Sequence, residues 1–210
     1  MADPRKTIVA DGYDAIAHRY LVWTGGAHVR NRYLRKFYTL VPAGGRVLDL
    51  GCGAGVPVTK KLARKTSVVG VDISAAQIAL AREKVPEASF INADMMAVEF
   101  PPASFDGIAA FFAFTHLPRE EHAEMLRRIA KWLRTDGVFA ASMGAEDSID
   151  AIDPGWLGVD MFFSHFGASA NRQIIRDAGL QPIHEEIVEH EEDGHPVRFL
   201  WIIASKSAST

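Results

Sequence analysis

Cysteine is almost missing from this sequence: Cys52 is the single thiol in 210 residues. One thiol closes no internal disulfide, so a reducing compartment, the cytoplasm, is expected. No apolar run approaches the ~20 residues that a membrane-spanning helix needs. The opening MADPRKT has no apolar core of the secretory kind. Neither sign of charge dominates, since 23 basic against 26 acidic side chains leave −3. Such a balance disfavours a chain whose main task is gripping nucleic-acid backbone. Repeats of ~20–50 residues are absent, and low complexity is confined to the tail Ser205–Thr210. What is present, 48% apolar and 23% charged residues, is ordinary globular usage. At ~150 residues per domain the length suits one generous domain.

Short β-like apolar runs alternate with helical patterns, which signals an α/β domain with a mainly parallel sheet. Tyr13, Ile16, Ala17 and Tyr20 share one helical stripe, and Val29, Tyr33, Phe37 and Leu40 form a second. Arg30, Arg32, Arg35 and Lys36 on the second helix read as a solvated face, with a ligand site as the rival reading. Strands are expected at Arg46–Leu50, Ser67–Ile73, Ala88–Asn92, Phe105–Phe112 and Val138–Met143. Val56-Pro57 opens a helix to about Arg64. Ser74 and Gln77 have capping-box spacing for a helix that ends before Pro86. A helix from Pro118 turns Met125, Leu126, Ile129, Trp132 and Leu133 inward, with Gly137 as its C-cap. Ser169 caps a short helix to Gly179, and Ile183–Glu189 pairs with Val197–Ile203 through a turn at Asp193-Gly194.

The chemically specific stretch is Val47-Leu48-Asp49-Leu50-Gly51-Cys52-Gly53-Ala54-Gly55. A strand running into alternate glycines lets a ligand approach the backbone, because no Cβ intervenes. The following helix N-terminus suits an anionic group. Asp72 ends the second strand and Asp94 follows the third. In an open α/β sheet such strand ends line the ligand crevice. A carboxylate at Asp72 suits ribose hydroxyls, and one at Asp94 suits an adenine amine. Cys52 reads as a small loop residue, since nothing nearby stabilises a thiolate.

Val56 stands where a dinucleotide fingerprint has its third glycine, and Asp49 precedes the first glycine by two. This arrangement resembles the class I S-adenosylmethionine (SAM)-dependent methyltransferases over roughly Arg46–Lys206. Phe105-Asp106-Gly107-Ile108, Phe114-Thr115-His116-Leu117-Pro118 and Leu133-Arg134-Thr135-Asp136-Gly137-Val138 also match that family's pattern. The resemblance implies a Rossmann-like, doubly wound α/β fold. Its seven-stranded sheet is mostly parallel, with an antiparallel closing strand and added N-terminal helices. Within one domain over residues 1–210 it implies a helical cap at 1–40 and a SAM-binding core at 46–143. A substrate-cover insertion at 144–167 and closing helix and strands at 168–206 complete the division.

The same resemblance implies site roles. Gly51 and Gly53 would back the methionine portion of SAM, and Asp49 would orient the loop and help hold the amino group. Asp72 would take the ribose hydroxyls with Ile73 packed on adenine, while Asp94 and Met95 read the adenine edge. Phe111 or Phe112 would lie near the sulfonium. Tyr13 and Tyr20 would cover the cofactor or simply pack their helix onto the sheet. The product would be S-adenosylhomocysteine (SAH).

Because SAM carries an activated methyl group, the protein's work is placement and water exclusion. A base is needed only for a protonated acceptor. His116, after the fourth strand, and His165, in the aromatic insertion, are the candidate bases, each with a packing role as rival. His184, His190 and His195 lie along an exposed hairpin, and no metal is expected there. No Asn- or Asp-Pro-Pro-aromatic sequence follows the fourth strand, which argues against the amide- and adenine-modifying branch of the fold. No carboxylate lies between Asp106 and Glu120, which disfavours the magnesium-dependent catechol type. The expectation is a soluble, cytoplasmic enzyme methylating a small molecule, without nucleic-acid or membrane partners. Its oligomeric state is not specified. An NAD(P)-dependent oxidoreductase and a non-catalytic SAM-binding module are the competing readings.

Overall fold

The computed structural model describes residues 3–24, 28–192 and 194–206. Asp3 caps the first helix by accepting from the Arg5 N–H, and Pro4 fills its first turn, so α1 (Pro4–Trp23) starts where the sequence favours it. α2 (His28–Leu40) follows. Then come β1 (Arg46–Leu50), α3 (Val58–Leu62), β2 (Ser67–Asp72), α4 (Ala75–Lys84), β3 (Ser89–Asn92) and β4 (Phe105–Ala110). The second half runs through α5 (His122–Trp132), β5 (Leu133–Gly144), β6 (Ser148–Trp156), β7 (Val159–His165), α6 (Ala168–Asp177), β8 (Leu180–Glu192) and β9 (His195–Lys206).

Seven strands form one sheet in the order β3-β2-β1-β4-β5-β9-β8. β1 to β5 are parallel, and β9 runs antiparallel to both β5 and β8. The doubly wound expectation holds. Chain order reverses between β1 and β4, which opens a crevice beyond their carboxyl ends. Side chains alternate across β1. Leu48 and Leu50 enter the core shared with α5, and Val47 enters the one built with α2 and α3. Asp49 falls on the α3 side by the same alternation, where the Thr59 hydroxyl donates to it at 2.6 Å.

Above the crevice, α1 packs against a separate antiparallel pair, β6–β7. Val9, Tyr13 and Ile16 meet Trp156, Met161 and Phe162 in a third apolar cluster. Asp14 fixes this cap to the sheet layer by accepting from the Ser74 hydroxyl at 2.5 Å and the Ala76 N–H at 2.9 Å. No described helix is long and apolar enough to cross a membrane.

Several expectations need correction. α5 stops at Trp132 because Leu133 already pairs with Phe105 in the sheet; Asp136, not Gly137, takes the left-handed conformation, with φ +62°. α3 is shorter than Val56–Arg64, and Gly167 rather than Ser169 caps α6. β4 ends two residues early, since Phe112 turns the chain with φ +59°. The closing strands are longer than read, and the expected turn residue Asp193 lies outside the described residues. Leu40 is exposed, whereas Arg30, read as solvated, is 5% exposed.

Candidate active site

Three adjoining cavities open at the strand ends. Gly51, Gly53, Asp72, Ile73, Asp94, Met95, Phe111, Phe112, Tyr13 and Tyr20 all border the first. Asp49 is the one cofactor candidate outside it. It lines the third cavity, beside Gly51, Gly53, Gln77 and Arg30. The sequence thus brings its expected cofactor residues to one place.

The glycines there differ in purpose. A Cβ on Gly51 would stand 2.7 Å from the Ala113 Cβ, so this position answers to chain packing. A Cβ on Gly53 would find its nearest neighbour, the Gln77 Oε1, at 3.7 Å, an ordinary contact, so chain packing does not require glycine there. Both have positive φ. Asp72 accepts from the Gly53 N–H at 2.7 Å and the Ser74 N–H at 2.9 Å, and thereby tethers the glycine loop to the end of β2. Burial pushes its carboxyl up to about 6 and that of Asp49 up to about 7. Asp94 accepts from the Met96 N–H at 2.9 Å and pairs with Lys6 Nζ at 2.7 Å.

Three residues here escaped sequence reasoning. Lys6, in the first turn of α1, carried no local signal. Arg30 donates through Nη2 to the Thr24 carbonyl, its Nε has no partner, and among the described residues it makes no ion pair. Burial lowers its pKa against the pull of Tyr20 and Asp49. Gln77 was read as half of a capping box. Ser74 does accept from the Gln77 N–H at 3.1 Å, but the Ser74 N–H goes to Asp72. The Gln77 amide is therefore released, and both its polar atoms are buried without partners.

The candidate bases separate. His116 borders the first two cavities. Its Nδ1–H donates to the Phe162 carbonyl at 2.9 Å, which leaves Nε2 to accept from the Tyr13 hydroxyl at 2.8 Å. Burial holds its pKa down to about 4, so the ring is neutral and both nitrogens are committed. His165 borders none of the three cavities. It donates from Nδ1 to the Glu146 carbonyl at 2.7 Å and packs against Gly144. Burial raises the Cys52 thiol well above its ordinary value, which agrees with an inert loop residue.

The second cavity, about 400 Å³, adjoins the first and has Tyr13, Tyr20, Phe112 and His116 in common with it. Trp23, Trp156 and Phe163 add aromatic walls, and the β8 end adds His190, Glu191 and Glu192. The positive φ of Phe112 sits at this junction, where its N–H donates to the Ser142 hydroxyl at 2.7 Å. Strained backbone of this kind gathers at functional sites.

A family model described as "Methyltransferase domain" matches residues 47–137. The 27-O-demethylrifamycin SV methyltransferase of Amycolatopsis mediterranei is 28% identical over 219 residues, covering 90% of this chain and 79% of that enzyme. A trans-aconitate 2-methyltransferase of Afipia carboxidovorans is 36% identical over 108 residues, covering 50% of this chain. The chain spans 40% of that enzyme's length and under half of several other curated relatives. Burkholderia thailandensis 1,6-didemethyltoxoflavin-N1-methyltransferase, solved with its namesake compound and SAH bound, has the same fold. Its TM-score is 0.70 at 20% identity, covering 99% of this chain and 92% of that one. Strand-end signature, sheet order and relatives agree: residues 47–137 match a methyltransferase domain, and the fold is that of SAM-dependent methyltransferases.

Proposed function

We propose that the protein transfers a methyl group from SAM to a small organic acceptor, with the cofactor in the first and third cavities and the acceptor in the second. One observation carries this reading: Tyr13, Tyr20, Phe112 and His116 line both the first and second cavities. A donor in one and an acceptor in the other would therefore meet across a common wall. The 27-O-demethylrifamycin SV and trans-aconitate methyltransferases, by their names, act on small molecules, which supports an acceptor of that class.

The residues fit the cofactor. Gln77 offers a buried amide without partners, and Gly53 presents uncrowded backbone beside it. Asp72 would hold the ribose and Ile73 pack on the base. Asp94 and Met95 would meet the adenine edge, once Asp94 shares its oxygen with Lys6. Asp49 would face the amino group. Arg30, buried between the second and third cavities, would balance the carboxylate. When bound, the cofactor supplies an electrophilic methyl on a sulfonium, whose charge aromatic faces such as Tyr20 and Phe112 favour.

His116 orients Tyr13 and ties α1 to β7; it is a positioning residue, and no catalytic role is assigned to His165. Alignment of the acceptor and exclusion of water by the α1–β6–β7 cap supply the acceleration, on the order of 7 kcal/mol or more in favourable cases.

The test is calorimetric titration with SAH, followed by incubation of a metabolite extract with methyl-labelled SAM. Binding together with label in a small product supports the reading. Binding without label in any component leaves a SAM-binding module and sinks it. Asp72→Ala should weaken SAH by roughly 1–3 kcal/mol, the loss of a charged hydrogen-bond partner.

A further inference from the structure

The second cavity has a chemistry of its own. Tyr20, Trp23, Trp156 and Phe163 surround it with ring faces and edges. Trp156 lies 6.0 Å from both Tyr20 and Trp23 and 5.7 Å from Phe163, centroid to centroid. Such a box suits a flat ring or a cation.

At one end stands an acidic lip. His190 and Glu192 are two apart on β8 and so share a face of the strand. The His190 ring is stacked on Phe199, with centroids 5.3 Å apart and 19° between planes. Its Nε2–H donates to Glu192 Oε1 at 2.9 Å. Glu192 is thereby held inward, with its side chain 14% exposed. Its charge reaches Tyr13 and Tyr20, adding to burial in raising both phenols, which locates the carboxylate near the wall common to the two cavities. Glu191 borders the same space. Arg30 borders this space too, at its boundary with the third cavity, so Glu191 and Glu192 outnumber one guanidinium here, and they stand alone where Arg30 balances the cofactor's carboxylate as proposed above. An anionic acceptor would meet two carboxylates, whereas an N–H donor finds one already oriented.

We propose that the acceptor is a planar aromatic molecule bearing a protonated amine or N–H, and that Glu192, held by His190, selects it. This rests on the methyl-transfer reading above and adds the class of molecule that the second cavity accepts.

The test compares two probes with the same ring and opposite charge, tryptamine and indole-3-propionate, titrated calorimetrically into the full chain with and without saturating SAH. Tryptamine should bind about tenfold tighter or better, as expected of a charge-assisted hydrogen bond. Glu192→Gln should bring the two probes to within about threefold while leaving SAH affinity in place. Tighter binding of the propionate, binding of neither probe, or an unchanged preference in Glu192→Gln overturns the proposal. SAH binding is read separately in the same series. Its failure removes the methyl-transfer reading, while the preference between probes still decides what the cavity selects.

Discussion

The Tyr13 hydroxyl donates to His116 Nε2 across 2.8 Å, and the same imidazole donates from Nδ1 to the Phe162 carbonyl. Through one neutral ring, α1 is joined to the loop after β4 and to β7, the elements that roof the crevice. Tyr13→Phe keeps the packing against Tyr20 and Trp156 but leaves the imidazole nitrogen without a donor. Stability should fall by about 1–3 kcal/mol. At ~2–4 °C per kcal/mol for a chain of this size, melting should drop by several degrees. Unchanged thermal denaturation would remove the link as a structural tie.

Gly51 and Gly53 should respond differently to the same substitution. Gly51→Ala sets a methyl 2.7 Å from the Ala113 Cβ at φ +68°, and should lower stability by about 1–3 kcal/mol. Gly53→Ala places its methyl 3.7 Å from the Gln77 Oε1, an ordinary contact, so its stability loss should be the smaller, limited to the strain of φ +53°. Its main effect should be on SAH affinity, through occupation of the ligand's place. Denaturant titration and calorimetry on both variants separate the two; equal loss of affinity at equal stability would contradict the distinction.

The parts of the site that could be read in the sequence are those where chain position alone fixes placement. Asp49, Asp72 and Asp94 sit at or just beyond successive strands, and a parallel sheet delivers such ends to one edge. Arg30 illustrates the opposite case. Its neighbours Arg32, Arg35 and Lys36 are exposed as expected, and only the meeting of α2 with the cleft makes one member of the run a buried cation. The insertion read as aromatic cover folds as a hairpin because Leu157 and Gly158 both take positive φ, a turn for which Leu gives no warning. His190 is expected to be solvent-exposed, and its half-burial beside Phe199 depends on strand register, which composition does not reveal.

Gln77 yields a prediction of unusual sign. In the protein alone its amide is buried with neither atom satisfied, a state that burial penalises by about 1–3 kcal/mol per group. Gln77→Leu removes that penalty in a side chain of similar volume, and should raise the stability of the ligand-free protein by about 1 kcal/mol. The same change should weaken SAH binding by about tenfold, if the ligand is the amide's partner as the proposed function requires. A destabilised variant with full SAH affinity would show that Gln77 finds its partners within the protein.

The last prediction concerns pH. Asp49 and Asp72 have folded-state pKa values of about 7 and about 6, above the ordinary 3.8, so the native state binds more protons than the unfolded one between those limits. Their contribution makes stability fall as pH rises from about 4 to 7. His116 and His122 are held at about 4, below the ordinary 6.5, so here the unfolded state binds more protons. Their stability is complete above 6.5 and is lost as pH falls toward 4. The two pairs oppose each other across the same window; burial also holds His165 below its ordinary value, so the stability of the ligand-free protein should rise only gently between pH 5 and 6. Asp49→Asn retains an acceptor for the Thr59 hydroxyl and removes one of the opposing protons. Stability should then rise more steeply with pH, by about 1.4 kcal/mol more per unit in that interval. Urea denaturation at half-unit steps measures the slope, and parallel curves for the two proteins would mean that Asp49 is ionised in the folded chain.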